Sequence, residues 1–277
     1  MNKAVVLFVL LFFLVSCTSN ETTALPSIEN TATATNTISP TQVTPKTTPL
    51  PTIAISVENV FTFEEMNLSI GFDTPTGFQE GFDTSIITLT EPNAPFELPY
   101  PQHARILFTA YANDREDILA DGIRIFRAEN VDALEAGILG ELEAVLSGQS
   151  DHRIDFPRLP GAGSIIDAQI RLQAFQNGDG YRYLILKSFD ASSLSNTQLT
   201  LLYQGLTLDQ KFFVSFIAQV NAPFLQEYVN QTLSTPEEFE NYFQTINEQV
   251  ENADANLFEP SLTILDEMIA SIVIIEK

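Results

Sequence analysis

Apolar and polar side chains alternate through the second half of the chain. From Lys211 to Val220, Phe212, Val214, Phe216, Ala218 and Val220 fall on one face, while Lys211, Ser215 and Gln219 share the other with Phe213 and Ile217. That is the pattern of a strand with one core face and one partly covered face. A short Thr207–Gln210 connection predicts a hairpin with a strand over Gln198–Leu206. Asn177-Gly178-Asp179-Gly180 predicts a second turn, joining Ala168–Gln176 to Tyr181–Asp190, because Asn, Asp and Gly tolerate positive φ. Four consecutive strands therefore form an antiparallel meander. Earlier strands are expected at Asn67–Asp73, Ser85–Thr90, Ala104–Ala112 and Ile123–Ala128.

The period changes to a helical one in three places. After Asp132 as N-cap, with Glu135 three residues on, Leu134, Ile138, Leu142, Val145 and Leu146 make one face. Thr235, Pro236 and Glu238 give N-cap, N1 and N3 of a second helix, with Phe239, Tyr242, Phe243, Ile246 and Val250 on its apolar stripe. A last helix begins around Pro260 and groups Leu262, Leu265, Met268, Ile269 and Ile272. Helices flanking a run of antiparallel strands predict an α+β domain built in layers.

The N-terminus reads differently. Behind Lys3, an apolar run of 12 residues from Ala4 to Val15 precedes Ser16 and Cys17. It is too short for a membrane span, which takes about 20 residues, and fits a signal-peptide core. Leu14-Val15-Ser16-Cys17 resembles a bacterial lipobox, which implies that Cys17 is lipidated and heads the mature chain. Thr, Ser, Pro and Asn then fill 23 of the 35 positions from Thr18 to Thr52, too little apolar surface to offset ordering entropy. Residues 1–16 are thus expected to be a lipoprotein signal peptide, 17–55 a lipid-anchored Thr/Pro-rich tether, and 56–277 a single α+β domain.

Composition narrows the function. With 36 Asp plus Glu against 13 Lys plus Arg, the net charge is −23, which argues against nucleic acid as a partner because phosphate recognition needs a basic stripe. One Cys and two His exclude a disulfide framework and multi-cysteine metal sites. The G-x-S-x-G, H-E-x-x-H, P-loop and G-x-G-x-x-G patterns do not occur. We therefore expect no cofactor, no metal and no catalytic residue. Acidic residues are too numerous for a glycosidase-like pair to be recognised among them.

Two charged features remain. Between Lys211 and Lys277 lie 11 acids and no base, which would give the last helices a single-sign surface attractive to cations or a basic partner, or one that serves solubility alone. In an acidic chain, His103 and Arg105, and His152, Arg153 and Arg158, stand in or beside the Pro-rich segments 92–101 and 156–161. If those segments meet, the five residues would form a cationic, aromatic-lined mouth for an anionic ligand. If they do not, the bases offset neighbouring acids.

The segment Asn67–Phe78, a hydrophobic strand followed by Pro75, Gly77 and Phe78, is similar to the opening of PsbP-like domains. Phe258-Glu259-Pro260-Ser261-Leu262 with its following helix, and the hairpin from Tyr203 to Ser215, also resemble that family. The resemblance implies an antiparallel sheet flanked by helices in an α/β/α sandwich. It further implies a binding or assembly module rather than an enzyme. The expected protein is thus a lipid-anchored extracytoplasmic module at the bacterial cell surface, attached to the membrane through Cys17 and holding a protein or small-molecule ligand. An anchored carboxylate-dependent hydrolase of an envelope polymer, or a small solute-binding lipoprotein, are the alternatives.

Since Cys17 is the sole thiol, a chain beginning near Thr52 has none, and its unfolding transition is expected to be the same with and without reductant. A melting temperature shifted by dithiothreitol would contradict this.

Overall fold

The computed structural model describes residues 57–78, 81–88, 100–110, 120–134, 136–150, 153–154, 156, 163–188 and 192–277. The expected signal peptide, Cys17 and the whole of the 17–55 tether lie outside them. The compact unit that contains the described residues is Ile53–Lys277.

Seven strands make the larger sheet: β3 (Phe82–Ile87), β4 (His103–Phe108), β5 (Gly122–Arg127), β6 (Gly163–Phe175), β7 (Gly178–Ser188), β8 (Gln198–Thr207) and β9 (Phe212–Asn221). Their spatial order is β3-β4-β5-β9-β8-β7-β6, and every neighbouring pair is antiparallel. The meander of β6 to β9 is present as the alternation predicts. A smaller sheet of order β1-β2-β10 joins β1 (Asn59–Phe63) and β2 (Leu68–Phe72) to the C-terminal β10 (Val273–Glu276). Four α-helices are described: α1 (Ala128–Leu134), α2 (Ile138–Leu146), α3 (Pro236–Asn252) and α4 (Leu262–Ser271). The domain is α+β.

The two faces of the large sheet carry separate cores. Ile125, Val214, Phe216 and Leu201 pack with Tyr242, Ile246 and Val250 of α3, with Leu265 and Met268 of α4, and with Ile70 and Phe72 of the small sheet. Phe126, Phe213, Ile217 and Leu202 point the other way and pack with Val131 of α1 and Leu142 of α2. The alternation in β9 thus sorts its residues between two helical layers.

Local signals explain what starts and stops these elements. The Thr235 hydroxyl accepts the Glu238 amide, and the Glu238 carboxylate accepts the Thr235 amide, a complete capping box opening α3 behind Pro236. The helix expected after Asp132 is instead two short ones. Asp132 lies inside α1 and its carboxylate accepts the amide of Gly137, which sits at φ 92° just before α2. Glu135 is outside the described residues. The β6–β7 turn is Gln176-Asn177, not the expected Asn177–Gly180, and Gly178 to Gly180 belong to β7. A Cβ on Gly178 would collide with the Phe175 ring and one on Gly180 with the Tyr203 phenol, so these glycines provide room rather than a bend. Asn177 instead reaches β10, donating to the Ile274 carbonyl at 2.6 Å and accepting its amide at 3.1 Å.

β6 contains a bulge at Gln169, where φ is 59° and the register with β7 shifts between Ala168 and Arg171. Its side-chain amide donates to the carbonyls of Val250, Glu251 and Ala253 at 2.9–3.0 Å, closing the C-terminal end of α3. Its backbone carbonyl accepts Arg182, whose guanidinium also grips both oxygens of Asp266 on α4 at 2.9 and 3.0 Å. Gln169→Ala should lower stability by about 2 kcal/mol, the loss of this buried cap. Gln169→Gly should recover about 1 kcal/mol of that by relieving the left-handed backbone. Urea unfolding of both variants measures the difference, and equal values would show that the backbone carries no strain.

Candidate functional site

Register aligns one polar residue from each of six strands across the α1/α2 face: Ser85, Arg105, Arg124, Ser215, Gln204 and Tyr181. The last four are fully buried. At the β7–β8 end this seam holds a strap of chain against the sheet. The Tyr181 hydroxyl accepts the Ile154 amide at 2.8 Å and donates to Gln204 at 3.2 Å, Tyr183 donates to the Ile154 carbonyl at 2.9 Å, and the Gln204 amide donates to the Phe156 carbonyl. At the other end, Arg105 donates to Ser85 at 3.1 Å and Arg124 to the Ala120 carbonyl at 2.7 Å.

The five basic residues expected to share a mouth distribute as follows. His152 and Arg158 lie outside the described residues. His103 and Arg105 share a face of β4, but Arg153 is ion-paired to Asp167 of β6, with its guanidinium 6.0 Å above the Tyr183 ring. Four strand spacings separate β4 from β7, about 19 Å. One described residue from each Pro-rich segment is in contact with the other: Tyr100 packs edge-on against Phe156 at 5.8 Å, and Phe156 against Phe126 and Phe213 at 5.3 Å.

His103 is 1% exposed, and its Nδ1–H donates to the Pro101 carbonyl at 2.9 Å while its ring lies 4.5 Å from that of Phe126. Burial is the main cause of a pKa lowered to about 4, with Arg124 and Arg105 pushing the same way. The ring is neutral at pH 7 and adds no charge to the two arginines beside it.

A second feature lies where β5 ends. β8 runs along one side of β9 as far as Asn221, and β5 covers the other side only from Phe212 to Ile217. Past that point the Asp121 carboxylate accepts the Gln219 amide at 3.0 Å, and Glu259 exchanges backbone hydrogen bonds with Asn221 at 2.8 and 2.9 Å. Between Asp121 and Glu259 an open groove of about 360 Å³ remains, lined also by Gln198, Gln219, Asn221, Val220, Gly77 and Pro260. Gln219 donates to Thr200 at 2.9 Å, and the Asn221 amide reaches Glu259 at 3.4 Å. Asp121 is 3% exposed, whereas Gln198 and Glu259 are open to solvent.

Neither Asp121 nor Arg124 was among the residues that composition and motif analysis singled out. Arg124 could have been found as a lone charge between Ile123 and Ile125 in an apolar strand. Asp121, far from Glu259 in the chain, carries no such local signal.

Three of the acids in the C-terminal run are joined to bases from other elements. Asp266 meets Arg182, Glu251 meets Arg171 at 3.4 Å, and Glu276 meets Arg127 at 2.7 Å and Lys211 at 2.5 Å. Hydrogen bonding to Lys211 and then Arg127 holds the Glu276 carboxyl below its ordinary range. The single-sign surface expected for this run is therefore interrupted. Among the described residues, no three His, Cys, Asp or Glu side chains gather so as to hold a metal ion. No described helix is long and apolar enough to cross a membrane. No family model matches the chain, and no curated protein or solved structure is significantly similar to it.

Because His103 has a folded pKa below its unfolded one, the unfolded chain binds the extra proton between about pH 6.5 and 4, and stability falls as pH drops through that window. A shift of this size corresponds to about 3 kcal/mol. The pH dependence of wild type minus that of His103→Phe should isolate it in urea titrations. Parallel curves would mean that His103 titrates alike in the folded and unfolded chain.

Proposed function

We propose that this chain is a lipid-anchored, extracytoplasmic module at the bacterial cell surface, with a PsbP-like α/β/α sandwich, that binds a ligand or partner without transforming it. The lipobox-like Leu14–Cys17 and the Thr/Pro-rich tether support the address. The layered antiparallel sheet, and β2 running into Pro75, Gly77 and Phe78, support the architecture. The charge of −23 favours a partner other than nucleic acid.

The groove beside β9 carries the binding reading. Its polar lining is carboxylate and carboxamide, groups that hold a ligand by hydrogen bonds, and it includes neither a thiol, a hydroxyl nor an imidazole to act as nucleophile or shuttle. One observation favours a second reading: Asp121 and Glu259 line the same groove, as the acid and base of a glycoside hydrolase would. Peptidoglycan fragments incubated with the protein should gain no new reducing ends. Steady release that disappears in Asp121→Asn would establish the hydrolase instead.

The anchor is tested on its own. Cells fed radiolabelled palmitate should label the wild-type chain and leave Cys17→Ser unlabelled and released from the membrane fraction. Label retained by the variant would remove the lipid anchor.

A further inference from the structure

We infer that the groove beside β9 binds a neutral, polyhydroxylated ligand, a segment of glycan. This rests on the binding-module reading and names its ligand class. The groove arises because β5 stops short of β9, so that the Asp121 side chain and the Glu259 backbone replace the missing strand at two points and leave a gap between them. Its volume falls within the range of small-molecule sites, about 300–1,000 Å³.

The lining selects against the other ligand classes. An anion would meet the exposed Glu259 carboxylate and, among the lining residues, no base. A bare divalent ion takes about six oxygen ligands, and no acidic trio is present among the described residues. What the groove offers is both hydrogen-bonding senses side by side. The exposed Gln198 amide makes no side-chain hydrogen bond among the described residues, so it presents two N–H donors and a carbonyl. Glu259 has one oxygen outside its contact with Asn221, and the Gln219 carbonyl is outside the bond that its amide nitrogen makes to Thr200. Each sugar hydroxyl both donates and accepts, so neighbouring hydroxyls can pair with a carboxylate and a carboxamide together. The half-buried Pro260 gives an apolar surface for the C–H face of a sugar ring.

The test is saturation-transfer NMR on the full chain in a sugar-free zwitterionic detergent. Maltotriose and triacetylchitotriose are the probes, and spermidine and inorganic phosphate the counter-probes. At least one saccharide should receive saturation, with affinity reduced about tenfold or more in Gln198→Ala and Glu259→Gln, the loss of one hydrogen bond to a charged or amide partner. Leu208→Ala, on the exposed β8–β9 turn, should bind as wild type. No transfer to either saccharide at about 10 mM, binding unchanged in both groove variants, or preferential binding of spermidine or phosphate would overturn the assignment. Shortening of the saccharide during the experiment would leave the ligand class standing and overturn the non-catalytic reading. Failure to bind leaves the palmitate result, and with it the anchor, untouched.

Discussion

The bulge at Gln169 ties the helices to the sheet. One residue at φ 59° turns its side chain toward α3 and its carbonyl toward Arg182, so the same point closes one helix and positions the cation that holds the next. Two amide hydrogens serve three helix carbonyls, a shared arrangement common at helix ends. α3 reciprocates along the edge of β6: Asn247 accepts the Asp167 amide at 2.8 Å and donates to the Ile165 carbonyl at 3.1 Å, and Glu251 accepts the Gln169 amide. Helix side chains thus occupy backbone groups that another strand would otherwise pair with. The sheet ends at β6 without offering that part of its edge for association.

At the middle of the sheet the constraint is different. The seam from Ser85 to Tyr181 puts polar groups across a face that is otherwise aromatic and aliphatic, and each buried group there needs a partner. Tyr181, Tyr183 and Gln204 meet that need by binding the backbone of Ile154 and Phe156, which fixes where the strap crosses. Once Phe156 is held there, its ring lies between Tyr100, Phe126 and Phe213. The seam therefore organises the covering of one face, and the groove is left to the far end of β9, where β5 has stopped.

Features decided within a few residues were legible in the sequence. Thr235, Pro236 and Glu238 specify a helix start by chemistry that spans one turn, and the alternation of β9 separates two cores because side-chain direction repeats every second residue. Where a choice depended on distant neighbours, the sequence was ambiguous. Ile272 to Ile275 continue the apolar stripe of α4, yet the chain leaves the helix at Ile272 and pairs with β2, an outcome set by strand β2 and by Asn177. Gly178 and Gly180 look like turn residues and are needed for the rings of Phe175 and Tyr203, which no local pattern reveals. The seam is invisible for the same reason, since it exists only once six strands are in register. The candidate mouth was half legible: Tyr100 and Phe156 from its two segments pack together, while burial neutralises His103 and Asp167 engages Arg153.

Charge pairing adds to the apolar contacts that dock the C-terminal helices on the sheet. The C-terminal third has no base of its own between Lys211 and Lys277, so its acids can be paired only by residues brought from the sheet and the C-terminus. Arg182 is the decisive case. At 3% exposed it would leave a guanidinium poorly solvated unless Asp266 and the Gln169 carbonyl met it, and α4 must be docked for that to happen. Arg171, Arg127 and Lys211 are more exposed, and their pairs with Glu251 and Glu276 contribute correspondingly less, about 0–1 kcal/mol each. The buried pair therefore makes docking of α4 a condition of stability, while the exposed pairs only offset charge at the surface. Glu259 is outside these ion pairs, held by its backbone to Asn221 and by a long contact to that residue's amide. That leaves a carboxylate at the groove with hydrogen-bonding capacity to spare, in a setting whose overall charge turns anions away.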